Sequence, residues 1–386
     1  MIKDFKLNQL TGPLLQWYEE HKRELPWRKD SSPYKVWVSE IMLQQTRVEA
    51  VKPFFERFTK RLPDVKALAE CPEDELLKLW EGLGYYNRVR NMQKAAIQVM
   101  EQYGGELPAD YEALLKLKGI GSYTAGAIAS IAYQIPVPAV DGNVLRILTR
   151  VAEDDTDIMK ASFRKQVEEK LAAYMQSEEF DHTKSGTFNQ ALMELGATVC
   201  VPNGAPNCEV CPWCALCQAK KKNCIMDLPV KSKAKERRIE QRTVFVIRDG
   251  ERVAIRKRPK KGLLAGLYEL PNVEGYLTQD EVLGYVKEQA LSPIRIQKLP
   301  EAKHIFSHVE WQMQGYAVLI EEPEAVASDD LKRQMTTSNR ENDGESDFIF
   351  VEAATSEQQY AIPAAFVAYA RYMGIKIGQE RFLEDK

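Results

Sequence analysis

Apolar side chains along residues 7–199 recur at helical spacing. Runs such as Leu14-Leu15-Gln16-Trp17-Tyr18 and Leu76-Leu77-Lys78-Leu79-Trp80 are set apart by Pro and Gly, and apolar positions three and four residues apart predict helices. This part reads as all-helical. The period then changes: Thr243-Val244-Phe245-Val246-Ile247, a turn at Asp249-Gly250, and Val253-Ala254-Ile255 predict two strands of a β-hairpin. A second domain of α+β type is expected to begin there. The implied division is 1–226 for a helical region, 227–242 for a linker and 243–386 for the C-terminal domain. Residues 321–357 hold eleven acidic and three basic residues, and the middle of this stretch, Ser328-Asp329-Asp330 through Asn342-Asp343-Gly344-Glu345, reads as a flexible loop. No internal repeat is evident.

Composition narrows the class without naming a chemistry. A chain of 386 residues corresponds to two or three domains at about 150 residues each. Hydrophobic residues at 44% and charged ones at 28% exclude disordered, collagenous and mucin-like proteins. The N-terminal Met1-Ile2-Lys3-Asp4-Phe5-Lys6 has no apolar run behind its charges, and the apolar stretch from Ala125 to Val140 is broken by Tyr133, Gln134, Pro136 and Pro138. Neither export nor membrane spanning is expected. The expected location is intracellular, in the cytoplasm or nucleoid if the source is bacterial. A formal charge of −3 argues against a chain coated in positive charge, yet between Cys214 and Lys261 sixteen Lys and Arg face five Asp and Glu. That local excess suits either a solvated spacer or a segment lying along phosphates.

Three local patterns carry candidate chemistry. Lys118-Gly119-Ile120-Gly121-Ser122-Tyr123 separates an amphipathic helix over Tyr111–Leu117 from a second helix rich in small residues. Gly119 and Gly121 permit a sharp turn and a close ligand, and N–H groups at the following helix start attract phosphate. An ordinary interhelical turn has the same appearance. Asp141 stands after a Pro-containing loop at an expected helix start, where it fits a capping role as well as a catalytic one. Glu40 lies in Val36-Trp37-Val38-Ser39-Glu40-Ile41-Met42, an apolar setting that raises a carboxyl pKa and keeps it partly protonated near neutrality. A helix-surface glutamate is the plainer alternative.

Of seven cysteines, six fall between Cys200 and Cys224, which without an export signal indicates metal binding and not disulfides. The spacing is Cys200-x7-Cys208-x2-Cys211-x5-Cys217, with Cys214 in between. Zinc and an iron–sulfur cluster both suit such a set. Cys71 and Cys224 read as free thiols.

The turn and Asp141, together with Leu25-Pro26-Trp27-Arg28, Val38 to Thr46, Trp80 to Tyr86 and Asn189 to Ala197, resemble the base-excision DNA glycosylase superfamily that includes endonuclease III. Within it the resemblance is to the MutY family of adenine glycosylases, strong over residues 10–225 and looser over 243–386. It implies a mainly α N-terminal part with the helix–hairpin–helix glycosylase fold, two helical subdomains and an iron–sulfur loop, joined to an α+β Nudix-like C-terminal domain. It also implies that Glu40 protonates N7 of a flipped adenine while Asp141 stabilises positive charge at C1′, with Tyr123 and Asn143 supporting that pocket. The family's [4Fe–4S] cluster would then sit on Cys200, Cys208, Cys211 and Cys217, although the first gap is one residue longer than the usual x6.

The resemblance assigns the remaining positions as well. Gln45 and Tyr85, with Leu43 nearby, match wedge residues, and Arg28 and Gln190 match positions that read adenine. Arg28, Trp27 and Gln190 also suit plain core or helix-surface roles. Arg256 to Pro271 resembles a degenerate Nudix segment whose metal-binding acidic helix is not visible. Phe306-Ser307-His308, with His304 close by, resembles the loop that finds 8-oxoguanine, although a strand end with a satisfied histidine reads equally well. Tyr123 stands where glycosylase/lyases carry their Schiff-base lysine, which implies an enzyme that leaves an abasic site uncut. The implied partner is duplex DNA with adenine opposite 8-oxoguanine or guanine, bound by a monomer. Three rivals stay open: an endonuclease III-like glycosylase/lyase, a non-catalytic helix–hairpin–helix DNA-binding protein and a Nudix hydrolase.

Overall fold

The computed structural model describes residues 6–232, 236–321 and 348–375. Packing divides the chain into two units, Met1–Cys71 with Asn87–Ala234, and Pro72–Tyr86 with Lys235–Lys386. Residues 72–86 thus fall with the C-terminal sheet, a placement that nothing in the helical spacing announces. No described helix is long and apolar enough to cross a membrane.

Among its described residues the first unit is helical, as the spacing predicts. It begins with α1 (Leu7–His21), α2 (Pro26–Lys29), α3 (Pro33–Leu43), α4 (Val48–Arg61) and α5 (Val65–Glu70). The next helix, α6 (Glu73–Leu79), belongs to the other unit. Then follow α7 (Asn87–Gln102), α8 (Tyr111–Leu115), α9 (Ser122–Tyr133), α10 (Gly142–Ala152), α11 (Ala161–Met175), α12 (Ser185–Thr198) and α13 (Gln218–Lys221). Proline occupies the first position of α2 and α3, where its missing N–H costs nothing. Helix α8 stops before the expected Leu117, because Lys116 and Leu117 bond back three residues, to Ala113 and Leu114, in a tighter turn.

One core joins α1, α10, α11 and α12 through Leu14, Trp17, Leu148, Phe163 and Phe188. Trp213 of the cysteine loop is buried in the same core and donates from Nε1 to Leu10 O at 2.9 Å. Helix α9 is buried from Thr124 to Ile131 and packs against α3 and α12. A Cβ on Gly126 would lie 2.1 Å from Pro138 O, so only glycine admits the chain that leads to Asp141. Asn189 of α12 holds that chain: its Nδ2 donates to Val137 O at 2.9 Å and its Oδ1 accepts the Ala139 N–H at 3.0 Å.

Among its described residues the second unit is a seven-stranded sheet with helices. It contains β1 (Arg238–Asp249), β2 (Arg252–Lys257), β3 (Tyr268–Glu269), β4 (Asn272–Glu274), α14 (Gln279–Glu288), β5 (Pro293–Ile305) and β6 (Val309–Ile320). β7 (Ile349–Glu352), α15 (Ala353–Gln359) and α16 (Val367–Met373) complete it. The strand order is β3-β2-β1-β6-β5, with β4 on β1 and β7 on β2. The expected hairpin is β1 with β2, in register Arg248↔Val253. β1 starts at Arg238 and not at Thr243, because it pairs in parallel with β6 from Arg238↔Val309 to Arg248↔Leu319. Its first rungs are set by that ladder and not by alternating side chains. Farther along, Val244 and Val246 face the core with Trp311 and Tyr369, while Phe245 and Ile247 face Val282 and Val286 of α14. That split is the period of two. The middle of the expected acidic loop lies outside the described residues.

Candidate active site

Helix α3 carries Glu40 into the interior, where it is 5% exposed. Burial pushes its pKa up to about 7, and the neighbouring Asp141 charge adds to this, while the Tyr123 hydrogen bond and Arg28 pull the other way. Tyr123, in the first turn of α9, donates its hydroxyl to Glu40 Oε2. Burial, helped by the two carboxylates, holds that phenol well above its ordinary pKa, so it stays a donor.

Asp141 caps α10, its Oδ1 accepting the Val144 N–H at 2.8 Å. Its Oδ2 accepts from Asn143 Nδ2 at 2.6 Å, and Asn143 Oδ1 accepts from Arg146 Nη2 at 2.9 Å. Burial raises the Asp141 pKa against these hydrogen bonds. The capping and catalytic readings of Asp141 therefore share one geometry: the cap fixes a carboxylate at a cavity wall.

That cavity, of about 1080 Å³, is lined by Glu40, Asp141, Tyr123 and Asn143, and also by Arg28, Gln45 and Gln190. Seven of the sequence-selected residues thus meet around one space inside the first unit. Gln190 accepts from the Tyr18 hydroxyl at 3.2 Å. Arg28 is half-buried and ion-paired at 2.8 Å with Glu194, which also receives Arg23 at 2.7 and 2.8 Å. Burial drives the Glu194 pKa up, but the two guanidinium groups outweigh it and hold it near about 2. Reading the sequence missed Glu194 and Arg23. A signal was present, since Glu194 follows Gln190 by four residues on α12 and so shares its face.

The other selected residues lie elsewhere. Gly119 adopts φ +79°, where a Cβ would also strike Asn91 at 2.7 Å, whereas Gly121 is extended and caps α9 through its backbone alone. Both stand on the turn and not on the cavity wall. In the second unit, Ser307 and His308 are the exposed pair between β5 and β6, closed by the Phe306 N–H to Val309 O at 2.8 Å. This is a two-residue hairpin tip whose two side chains are exposed, although Val309, the strand end that follows, is buried. Tyr85, at φ +49° and half exposed, reaches Ser307 Oγ through its hydroxyl at 3.1 Å.

The four selected cysteines line a second, small void with Cys214, Trp213, Arg150 and Lys220. Arg150 Nη1 lies 3.3 Å from Cys200 Sγ. Burial raises the pKa of Cys208, Cys211 and Cys217, that of Cys211 to about 12. Among the described residues no three His, Cys, Asp or Glu side chains are arranged around a single metal ion.

A helical unit with a glycine turn before α9 and an acid-lined cavity is the architecture of a helix–hairpin–helix repair enzyme, and residues 38–173 match the HhH-GPD superfamily of base excision DNA repair proteins. Residues 243–371 match the NUDIX domain. Along the chain there is 34% identity over 384 residues to the adenine DNA glycosylase of Mus musculus, covering 84% of this chain and 73% of that protein. Against the adenine DNA glycosylase of Homo sapiens it is 34% over 376 residues, 82% of this chain and 68% of that protein. The chain belongs to the adenine DNA glycosylase family of base excision repair. Among solved structures it is similar to a thermostable thymine-DNA glycosylase, with 26% identity and a TM-score of 0.49 over 55% of this chain and 96% of that one.

Proposed function

We propose that this enzyme removes adenine opposite 8-oxoguanine or guanine by hydrolysing the N-glycosidic bond of an everted nucleotide, and leaves the strand uncut. The observation that carries this is the pairing of Glu40 and Asp141 on one cavity wall, with the protonated Tyr123 hydroxyl on Glu40. Glu40, neutral up to a pH near 7, gives its proton to N7 of adenine as the bond to C1′ breaks. Asp141, held by Val144 and Asn143, stabilises the positive charge left on the sugar. Water then adds to C1′ and loses a proton, giving free adenine and an abasic site. Tyr123 in place of a lysine offers no amine for a Schiff base, which accounts for the uncut strand.

Arg28 and Gln190 read the adenine edge, while Gln45 and Tyr85 fill or distort the gap left in the stack. The backbone at Gly119 and Gly121 approaches phosphate. Ser307 and His308 meet the opposite base. The division into a catalytic region 1–226, a linker 227–242 and a lesion-reading domain 243–386 follows from this assignment. The protein acts as a monomer inside the cell, on duplex DNA.

The residues of the cysteine loop fit a [4Fe–4S] cluster on Cys200, Cys208, Cys211 and Cys217. Four thiols gathered on one void, with Arg150 Nη1 3.3 Å from Cys200 Sγ, would release their protons on binding iron and hold it as thiolates. Such a cluster supplies a thiolate-bound brace for the loop that Trp213 anchors.

Duplexes bearing single adenine mispairs test the reading. Free adenine should appear with adenine opposite 8-oxoguanine or guanine, and strand scission only after alkali. Release of a pyrimidine, or nicking without alkali, would favour a lyase instead.

A further inference from the structure

Four arginines line the cavity that holds Glu40 and Asp141. Arg23 and Arg28 are ion-paired with Glu194, and Arg47 is exposed, so that water solvates its charge. The fourth, Arg164, lies half-buried on α11. Among the described residues it makes a single hydrogen bond, from Nη1 to Val140 O at 2.7 Å, and no ion pair. Asp141 is the next residue along the chain, yet its two carboxylate oxygens accept from Val144 and Asn143 instead. A cation partly withdrawn from water on a cavity wall is ordinarily offset by an anion, and within this wall none is supplied. A guanidinium also presents several N–H donors in one plane, of which Val140 takes up one. That unspent fork matches the oxygens of a phosphate. A nucleotide everted into this space carries a phosphodiester on either side of its sugar, and so brings the missing charge with it.

We propose that Arg164 is a phosphate ligand for the everted nucleotide, binding one of the two phosphodiesters that flank its sugar and tying that contact to Asp141 through Val140. The inference rests on the function proposed above and adds a residue to it. One rigid plane touches both the phosphate and the Val140 carbonyl, so seating the DNA backbone also fixes the chain that carries Asp141 against the sugar. The contact is made by charge and by the fork of donors. It reads no base, and it acts alike on an adenine opposite 8-oxoguanine and one opposite guanine.

Equilibrium binding decides this, with the full-length chain as Glu40→Gln so that the duplex stays intact, alone or combined with Arg164→Gln or Arg164→Lys. Three duplexes carry adenine opposite 8-oxoguanine. One is fully charged, and in the others the phosphate 5′ or 3′ to that adenosine is an uncharged methylphosphonate. One of the two replacements should weaken binding by Glu40→Gln by about tenfold, as for a lost charge-assisted contact. Adding Arg164→Gln should weaken binding to the charged duplex by a similar factor and lower the slope of log affinity against log salt by about 0.9. On the matching methylphosphonate duplex the two losses should not add. Arg164→Lys, which keeps the cation, should keep the slope. Losses that add in full, or an unchanged slope with Arg164→Gln, overturn the contact. So does a binding strength that neither methylphosphonate lowers, a result that stands even if Arg164→Gln fails to fold. A residue that only braces Val140 would slow adenine release in the Arg164→Gln single variant and leave slope and additivity untouched, which also overturns it. A parent that frees no adenine from any mispair overturns the function proposed above, a different result that the binding titrations do not produce.

Discussion

Glu40 keeps its proton to a pH near 7 because nearly all water is removed from it, and one phenol hydrogen bond does not make up the difference. Stability and turnover both follow from that. Between the ordinary value of 4.5 and the folded value of about 7, an unfolded Glu40 is ionised while the folded one is protonated. Folding thus takes up a proton, stability falls as pH rises through this window, and it levels off above it. Glu40→Gln should therefore be more stable than the parent at pH 8 by a few kcal/mol, and nearly equal to it at pH 4. Adenine release by the parent should decline as pH rises through about 7, and the variant should be slower by about a hundredfold or more. Urea melts at the two pH values and single-turnover assays check this; a variant with parental rate removes Glu40 from the chemistry. The apolar run around Glu40 and the cap position of Asp141 were legible in the sequence, because both depend on near neighbours along the chain. The clamp of Arg23 and Arg28 on Glu194 was not, because it joins residues 171 and 166 positions apart.

At the level of elements, the helix that carries Glu40 is ended by a residue from far along the chain. Arg88 of α7 donates from Nη1 to the carbonyls of Ile41 at 2.7 Å, Met42 at 3.3 Å and Gln44 at 2.5 Å. Those carbonyls at the end of α3 would otherwise lack helical partners, and immediately after them Gln45 takes φ 60°, which is costly for a residue with a Cβ. Arg88 thus holds the turn that carries Gln45 at the cavity mouth. Arg88→Met should lower stability by about 1–3 kcal/mol, the cost of leaving buried acceptors unmet. It should also slow adenine release without moving the pH profile set by Glu40. A shifted profile would mean that Arg88 acts on the acid and not on the turn. The helices themselves were legible from apolar spacing and Pro starts, whereas the first rungs of β1 were not. Arg238-Ile239-Glu240-Gln241 has no alternating face to reveal its pairing with β6.

Across the whole molecule, charge is distributed against its own sum: a chain of net −3 concentrates sixteen cations against five anions between Cys214 and Lys261. Lys221 and Lys231 are exposed. If this stretch follows the backbone of DNA, changing both to Gln should reduce the slope of log affinity against log salt by about 2, since each phosphate contact contributes about 0.9. An unchanged slope would leave the segment a spacer. The two fold classes were legible from the switch in period near residue 243, but the allegiance of residues 72–86 was not. Ion pairing of Asp74 with Lys257 at 2.7 Å and the bond from the Ile362 N–H to Glu81 at 2.7 Å tie that segment to partners encoded far away. The Ser307–His308 tip has a consequence of another kind. A connection this short contains little slack: an added or deleted amino acid is either taken up by a changed turn or a bulge, or it turns the arms beyond inside out. Exchanging one side chain for another is therefore the gentler way to change what the tip prefers to touch.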